Sequence, residues 1–205
     1  MQAQPRRRAA WGTLTRDQVI DTAERVVRAG GFEQMTIRSL AAELDVAPMS
    51  LYRHVRDKDD LLGEVVDRML AGRWRPRAGA EDWVAWMTEA ADRLRAFLVS
   101  QPAALHIYLH NPVVSPAAVD RMSAMLEVLG AAGFAPDKAR HAYAAVHTYT
   151  LGFAALEVSR ARARRQAVED GTILSELERE LGSFTSPRRF REGLGYLLDG
   201  IAAQR

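Results

Sequence analysis

From Val19 to Ile201 the apolar residues recur three and four positions apart, and alternating apolar and polar runs bounded by turn signals do not occur. A repeat of that period puts the apolar side chains on one stripe of a helix. Such a chain closes a core only by laying stripe against stripe, so the fold class is all-α. Thr15 followed by Gln18 reads as a capping box, and Val19, Ile20, Ala23, Val26 and Val27 then line one face until Gly30-Gly31. Thr36 can cap a second, shorter helix with Ile37, Leu40, Ala41 and Leu44 inward. Pro48 suits the first turn of a third, expected to run on past Val55, with Leu51 and Val55 as its anchors. Asp57 caps a fourth, whose stripe of Leu61, Leu62, Val65, Val66, Met69 and Leu70 lasts until Gly72 and Pro76.

Residues 72–80, rich in Arg, Gly and Pro, divide an N-terminal unit, 16–75, from a larger helical unit, 80–205. In the latter, Trp83 to Leu98 form one stripe, 103–110 a short segment closed by Asn111-Pro112, and Ser115-Pro116 opens a helix ended by Gly130 and Gly133. Pro136 begins the longest helix, expected to end within the basic run 160–165. A weak helix is expected over 173–181, and Ser186-Pro187 opens the last. Gly193, Gly195 and Gly200 lower that helix's propensity, which close helix packing must offset.

With 28 basic and 26 acidic side chains the net charge is only +2, so attraction to a polyanion depends on where charge is placed. Arg6, Arg7, Arg8 and Arg16 are the only charged side chains in the first sixteen residues, which makes 1–15 a basic arm expected to be flexible and able to meet DNA. The absence of cysteine excludes disulfide frameworks, thiolate metal sites and a cysteine nucleophile. No run of eighteen apolar residues and no secretory h-region is present, so a soluble, cytoplasmic protein without a membrane partner is expected. Carboxylate-histidine motifs, Gly-rich phosphate loops and nucleophile elbows are absent, which argues against an enzyme and calls for no cofactor.

Three short helices with a tight connection between the second and third are the ingredients of a helix-turn-helix, whose second member enters the major groove. With Leu51 and Val55 inward, Met49, Ser50, Arg53 and His54 face outward together with the hydroxyl end of Tyr52. Arg53 can donate two hydrogen bonds to guanine, Ser50 can reach a base or phosphate, and Tyr52 and Lys58 can bind phosphate oxygens. Arg38 would lie over the backbone or an adjacent base edge, and Thr36 offers a hydroxyl at a helix start.

The segment Thr36-Ile-Arg-Ser-Leu-Ala-Ala-Glu-Leu-Asp-Val-Ala-Pro-Met-Ser-Leu-Tyr-Arg-His-Val-Arg-Asp-Lys58, followed by Leu61-Leu62, resembles the helix-turn-helix signature of the tetracycline-repressor (TetR) family. The resemblance implies a three-helix DNA-binding unit joined by a linking helix to a larger ligand-binding and dimerisation unit. It further implies a homodimer on a palindromic operator in double-stranded DNA, most often a repressor released by a small effector. By position, Thr36, Arg38, Met49, Ser50, Tyr52, Arg53, His54 and Lys58 fall to the DNA. Many members carry glycine where this chain has Asp45, a residue that tolerates a left-handed turn. The family's last helix and its longest one pair with their copies in a four-helix dimer interface.

For the effector, a small and largely apolar molecule, the candidate residues are Trp86, Met87, Phe97, His106, His110, Met125, Tyr143 and His147. Aromatics with polar tips and adaptable methionines suit an apolar cavity with a few orienting groups, and equally an ordinary core. His106 and His110 share one helical face at i, i+4, the start of a zinc or nickel site, but two ligands do not hold a metal and none is assigned. Two other functions remain open: a DNA-binding structural or partner-regulated protein without an effector, favoured by a solid C-terminal core, and a helical metal-binding protein using His106 and His110.

Overall fold

The computed structural model describes residues 14–71, 76, 81–110, 116–170 and 184–205. The basic arm up to residue 13, nearly all of the 72–80 boundary, the Asn111-Pro112 stop and the expected helix at 173–181 lie outside them. Nine helices are described: α1 (Arg16–Gly30), α2 (Ile37–Leu44), α3 (Pro48–Leu51), α4 (Lys58–Ala71), α5 (Trp83–Ser100), α6 (Pro102–His110), α7 (Pro116–Ala131), α8 (Pro136–Glu169) and α9 (Pro187–Ala202). Among the described residues there is no strand, so the chain is all-α, a small N-terminal head on a larger helical body.

The helix ends follow their local chemistry. At α1 the Thr15 hydroxyl accepts the Gln18 N–H at 3.2 Å while the Gln18 side chain accepts the Thr15 N–H at 2.9 Å. Gly31, at φ 83°, ends α1 by returning its N–H to the Val27 carbonyl. Between α7 and α8, Gly133 takes φ 93° and the Phe134 N–H reaches the Leu129 carbonyl at 3.1 Å, which satisfies the last turn of α7. Ser186 caps α9, with Pro187 in its first turn.

Two helices differ from expectation. α3 ends at Leu51, not beyond Val55: Tyr52 caps it at φ −68°, ψ −8°, and the His54 N–H bonds back only three residues to Leu51. The Val55 N–H still reaches the Leu51 carbonyl at 3.1 Å, so both anchors stay buried although the helix is a single turn. α8 continues through 160–165 to Glu169. Arginine and alanine are strong helix formers, so a solvated basic run extends a helix rather than ending it.

The hydrophobic interior forms two clusters. One joins α1, α2, α3 and α4 to Phe97, Leu98, Leu105, Ile107 and Ala154 of α5, α6 and α8. The other is built from α5, α7, α8 and α9, with Trp83 edge-on to Phe134 at 5.1 Å and Tyr149 stacked on Phe190 at 5.4 Å. α4 lies between head and body and buries residues all round, among them Asp60, Gly63, Val66, Asp67 and Leu70.

Candidate functional site

The turn between α2 and α3 is made by Asp45, the only described non-glycine residue with positive φ (φ 54°, ψ 46°). The Asp45 N–H reaches the Ala42 carbonyl and the Val46 N–H the Ala41 carbonyl, so the last α2 carbonyls are used before the chain enters α3. With Leu40, Ala41, Leu51 and Val55 buried beneath, the outer surface of the pair carries Arg38, Met49, Tyr52 and Arg53 exposed, and Ser50, His54 and Lys58 half-buried. The cations of the head divide sharply. Arg16, Arg25, Arg28, Arg56 and Arg68 each hold a carboxylate. Arg38, Arg53 and Lys58 hold none among the described residues.

Asp60 fixes the step from α3 to α4. It accepts the Arg56 backbone N–H at 3.1 Å and the Arg56 guanidinium at 2.9 Å, while its own N–H is capped by Asp57 at 2.7 Å. Burial would raise the Asp60 carboxyl, but these hydrogen bonds and the Arg56 charge bring it below its ordinary value.

In the body, a cavity of about 390 Å³ opens between α4, α5, α6, α7 and α8. Its wall is largely apolar, with Leu94, Ile107, Met125, Val146 and Leu151 on it. The polar members are connected. Arg121 of α7 donates to Asp67 of α4 at 2.5 Å, both side chains buried. The Tyr108 hydroxyl lies 3.0 Å from His147 Nε2, and Tyr143 stacks on the His147 ring at 5.3 Å. Burial raises the Tyr108 hydroxyl, against the pull of the Arg121 charge, while burial and then Arg121 lower His147. Both are therefore neutral near pH 7, and the hydroxyl can donate to the ring nitrogen.

Two family models match the chain: "Bacterial regulatory proteins, tetR family" over residues 19–65 and "Tetracyclin repressor-like, C-terminal domain" over 75–205. The chain belongs to the TetR family. It is similar to the HTH-type transcriptional repressor DrrR1 of Streptomyces coeruleorubidus, at 30% identity over 75% of this chain and 57% of that protein. The chain thus spans somewhat over half the length of that relative. It is similar in structure to ActR of Streptomyces coelicolor in complex with (S)-DNPA, with TM-score 0.73 and 25% identity over 94% of this chain and 98% of that one. A structure of BioQ with its natural double-stranded DNA operator gives TM-score 0.64 and 27% identity over 93% and 99%.

In this TetR-family member the eight residues expected to meet DNA all lie on α2, on α3 and the turn after it, or at the ends of α2 and α4. Thr36 is already engaged as the α2 cap, its hydroxyl accepting the Ser39 N–H at 3.0 Å. Of the residues expected at the effector, Met125, Tyr143 and His147 line the cavity. Trp86 and Met87 belong to the α5–α7–α8–α9 core, and Phe97 to the cluster shared with the head. His106 and His110 are exposed, their rings tilted to each other with centroids 4.1 Å apart, and no group of three or more candidate metal ligands forms among the described residues. Sequence reasoning missed Asp67, Tyr108 and Arg121. Asp67 had a readable signal, an acid within the apolar run of α4; its partner 54 residues away had none.

Proposed function

We propose that the chain is a homodimeric, ligand-responsive repressor that binds a palindromic operator through α2, α3 and the start of α4, and is released when a small, largely apolar effector enters the α4–α8 cavity. The observation that carries the DNA reading is the sorting of charge in the head: five arginines are neutralised by carboxylates, whereas Arg38, Arg53 and Lys58, around the helix-turn-helix, keep their charge for an outside anion. In this reading Arg53 contacts a base edge while Lys58 and Tyr52 set the register on phosphates. The site acts by binding rather than catalysis, on DNA in the bacterial cytoplasm.

A cavity rather than a filled body supports an effector over a purely structural role. Its volume falls in the range of small-molecule sites, and relatives are named as repressors or solved with a ligand. Dimerisation is supported by one side of α8 and α9 where, among the described residues, Leu156 and Tyr196 are exposed and Gly152, Gly195 and Gly200 have open space for a close neighbour. Because α4 touches both the head and the cavity, an effector that shifts α4 alters the spacing of two recognition helices, which must match half-sites about 34–36 Å apart. The effector must bind the released state more tightly than the operator-bound one.

Selection of bound sequences from random duplex DNA, followed by salt titration, tests this. A palindromic winner with steeply salt-dependent affinity is expected. Enrichment of no sequence, or of an asymmetric single site bound by a monomer, overturns it.

A further inference from the structure

One cation in the cavity is only half used. Arg121 is 7% exposed and lines the cavity; its Nη2 is held by Asp67, while Nη1, also buried, has no hydrogen-bond partner among the described residues. A buried N–H on a charged group without an acceptor carries a desolvation cost that an acceptor arriving in the cavity removes. Asp67 and Arg121 are the charged residues on the described wall. Tyr108, beside Arg121 and 3.0 Å from His147 Nε2, is kept neutral by burial, as is His147, so neither supplies an anion to Nη1.

We infer that the effector is an acid: a largely apolar molecule bearing a carboxylate or ionised hydroxyl that is held by Nη1 of Arg121. This rests on the effector reading of the same cavity. The apolar body lies among Leu94, Ile107, Met125 and Leu151, which reward burial but cannot orient a ligand. Orientation comes from the guanidinium, whose planar fork can serve two acceptors at once. The two acceptors are then the ligand's acid and Asp67. Since Asp67 belongs to α4, the group that recognises the ligand is also the group that holds the helix joining head to body. A second anion on that guanidinium loosens its hold on Asp67, which supplies a differential interaction with the position of α4.

The test compares 2-naphthoate with its neutral isostere 2-naphthamide by calorimetric titration of the full chain at pH 7.5. Naphthoate should bind about tenfold more tightly or better, the scale of a charge-assisted hydrogen bond. Arg121→Met should erase that preference while leaving naphthamide affinity within about threefold. Arg121→Met strands a buried Asp67, so the paired variant Arg121→Met with Asp67→Leu is run beside it, an apolar replacement of the whole ion pair. Equal binding of both probes to the unaltered chain, binding of neither, or an acid preference that survives in the paired variant overturns the inference. The random-duplex selection, run on the same preparation, separates the two readings: a selected palindrome without acid preference removes the ligand class alone, and no selected sequence removes the regulator.

Discussion

The Tyr149 hydroxyl of α8 stands where a β-carbon on Gly193 of α9 would have to be, with its Cζ 3.1 Å from that position. The same hydroxyl donates to the Phe190 carbonyl at 3.0 Å, so it cannot swing away without giving up a bond. In an open helix, glycine to alanine is worth up to about 1 kcal/mol of stabilisation. Here Gly193→Ala should instead destabilise by about 1–3 kcal/mol through overpacking. Urea unfolding of Gly193→Ala in the unaltered and Tyr149→Phe backgrounds checks it, because removing the hydroxyl should recover most of the loss. Equal losses in both backgrounds would show that the contact is not the cause.

Breaking the ion pair between α4 and α7 should cost far more than replacing it. Asp67→Ala leaves the Arg121 guanidinium buried and uncompensated, with an expected loss of about 3–5 kcal/mol, whereas Asp67→Leu with Arg121→Met should be near neutral. Denaturant midpoints measure the difference; a single variant as stable as the double would count against a buried pair.

His147 gives the protein a pH dependence of definite sign. Burial, then the Arg121 charge, hold its imidazole below the ordinary value, so the fold keeps it neutral while the unfolded chain takes a proton near pH 6.5. The unfolded state binds more protons below that point, so the contribution is complete above about pH 6.5 and is lost as pH falls toward the folded value. Melting temperature should drop from pH 7.5 to 5.5 more steeply for the unaltered chain than for His147→Gln. Parallel profiles would assign the drop to other groups.

Arg53 and Lys58 should separate on the operator. Arg53→Ala is expected to weaken binding by about 1–3 kcal/mol and relax base preference at one position per half-site. Lys58→Ala should weaken all sequences alike and lower the salt slope by about one counterion for each site contacted. Gel-shift titrations on the selected duplex and its single-base variants distinguish them, and an Arg53→Ala protein with intact preference refutes the base contact.

Asp45 holds φ 54° with a β-carbon, a conformation that costs most non-glycine residues about 1–2 kcal/mol and aspartate less. Asp45→Gly should therefore leave stability unchanged or raise it by up to about 1 kcal/mol, since glycine's larger unfolded-state freedom takes back part of the gain. A lower melting temperature would mean that the carboxylate itself supports the turn.

Whatever depended on neighbours in the chain was legible in advance. Thr15 with Gln18, Thr36 and Ser186 start helices because caps act over three residues, and the stripes of α1, α4 and α9 are buried as their spacing demanded. Local rules failed at α3, where a strong start at Pro48 does not fix the end, and at α8, where a charged run was mistaken for a stop. The cavity was the hardest part. Periodicity says that Trp86, Met87, Phe97, Met125 and Tyr143 face inward, but whether the space opposite is filled or empty is decided by helices distant in sequence. Asp67 and Arg121, 54 positions apart, meet only because α4 and α7 cross.

The cluster that roots α1 to α4 also contains Phe97, Leu98, Leu105, Ile107 and Ala154, so the natural cut in the sequence at 72–80 does not coincide with a cut in the interior. Anyone transplanting this reading head onto another sensor would sever a continuous oily seam unless those side chains, and Ala104 with them, travelled with it. Swapped parts would need matched undersides as well as matched linkers.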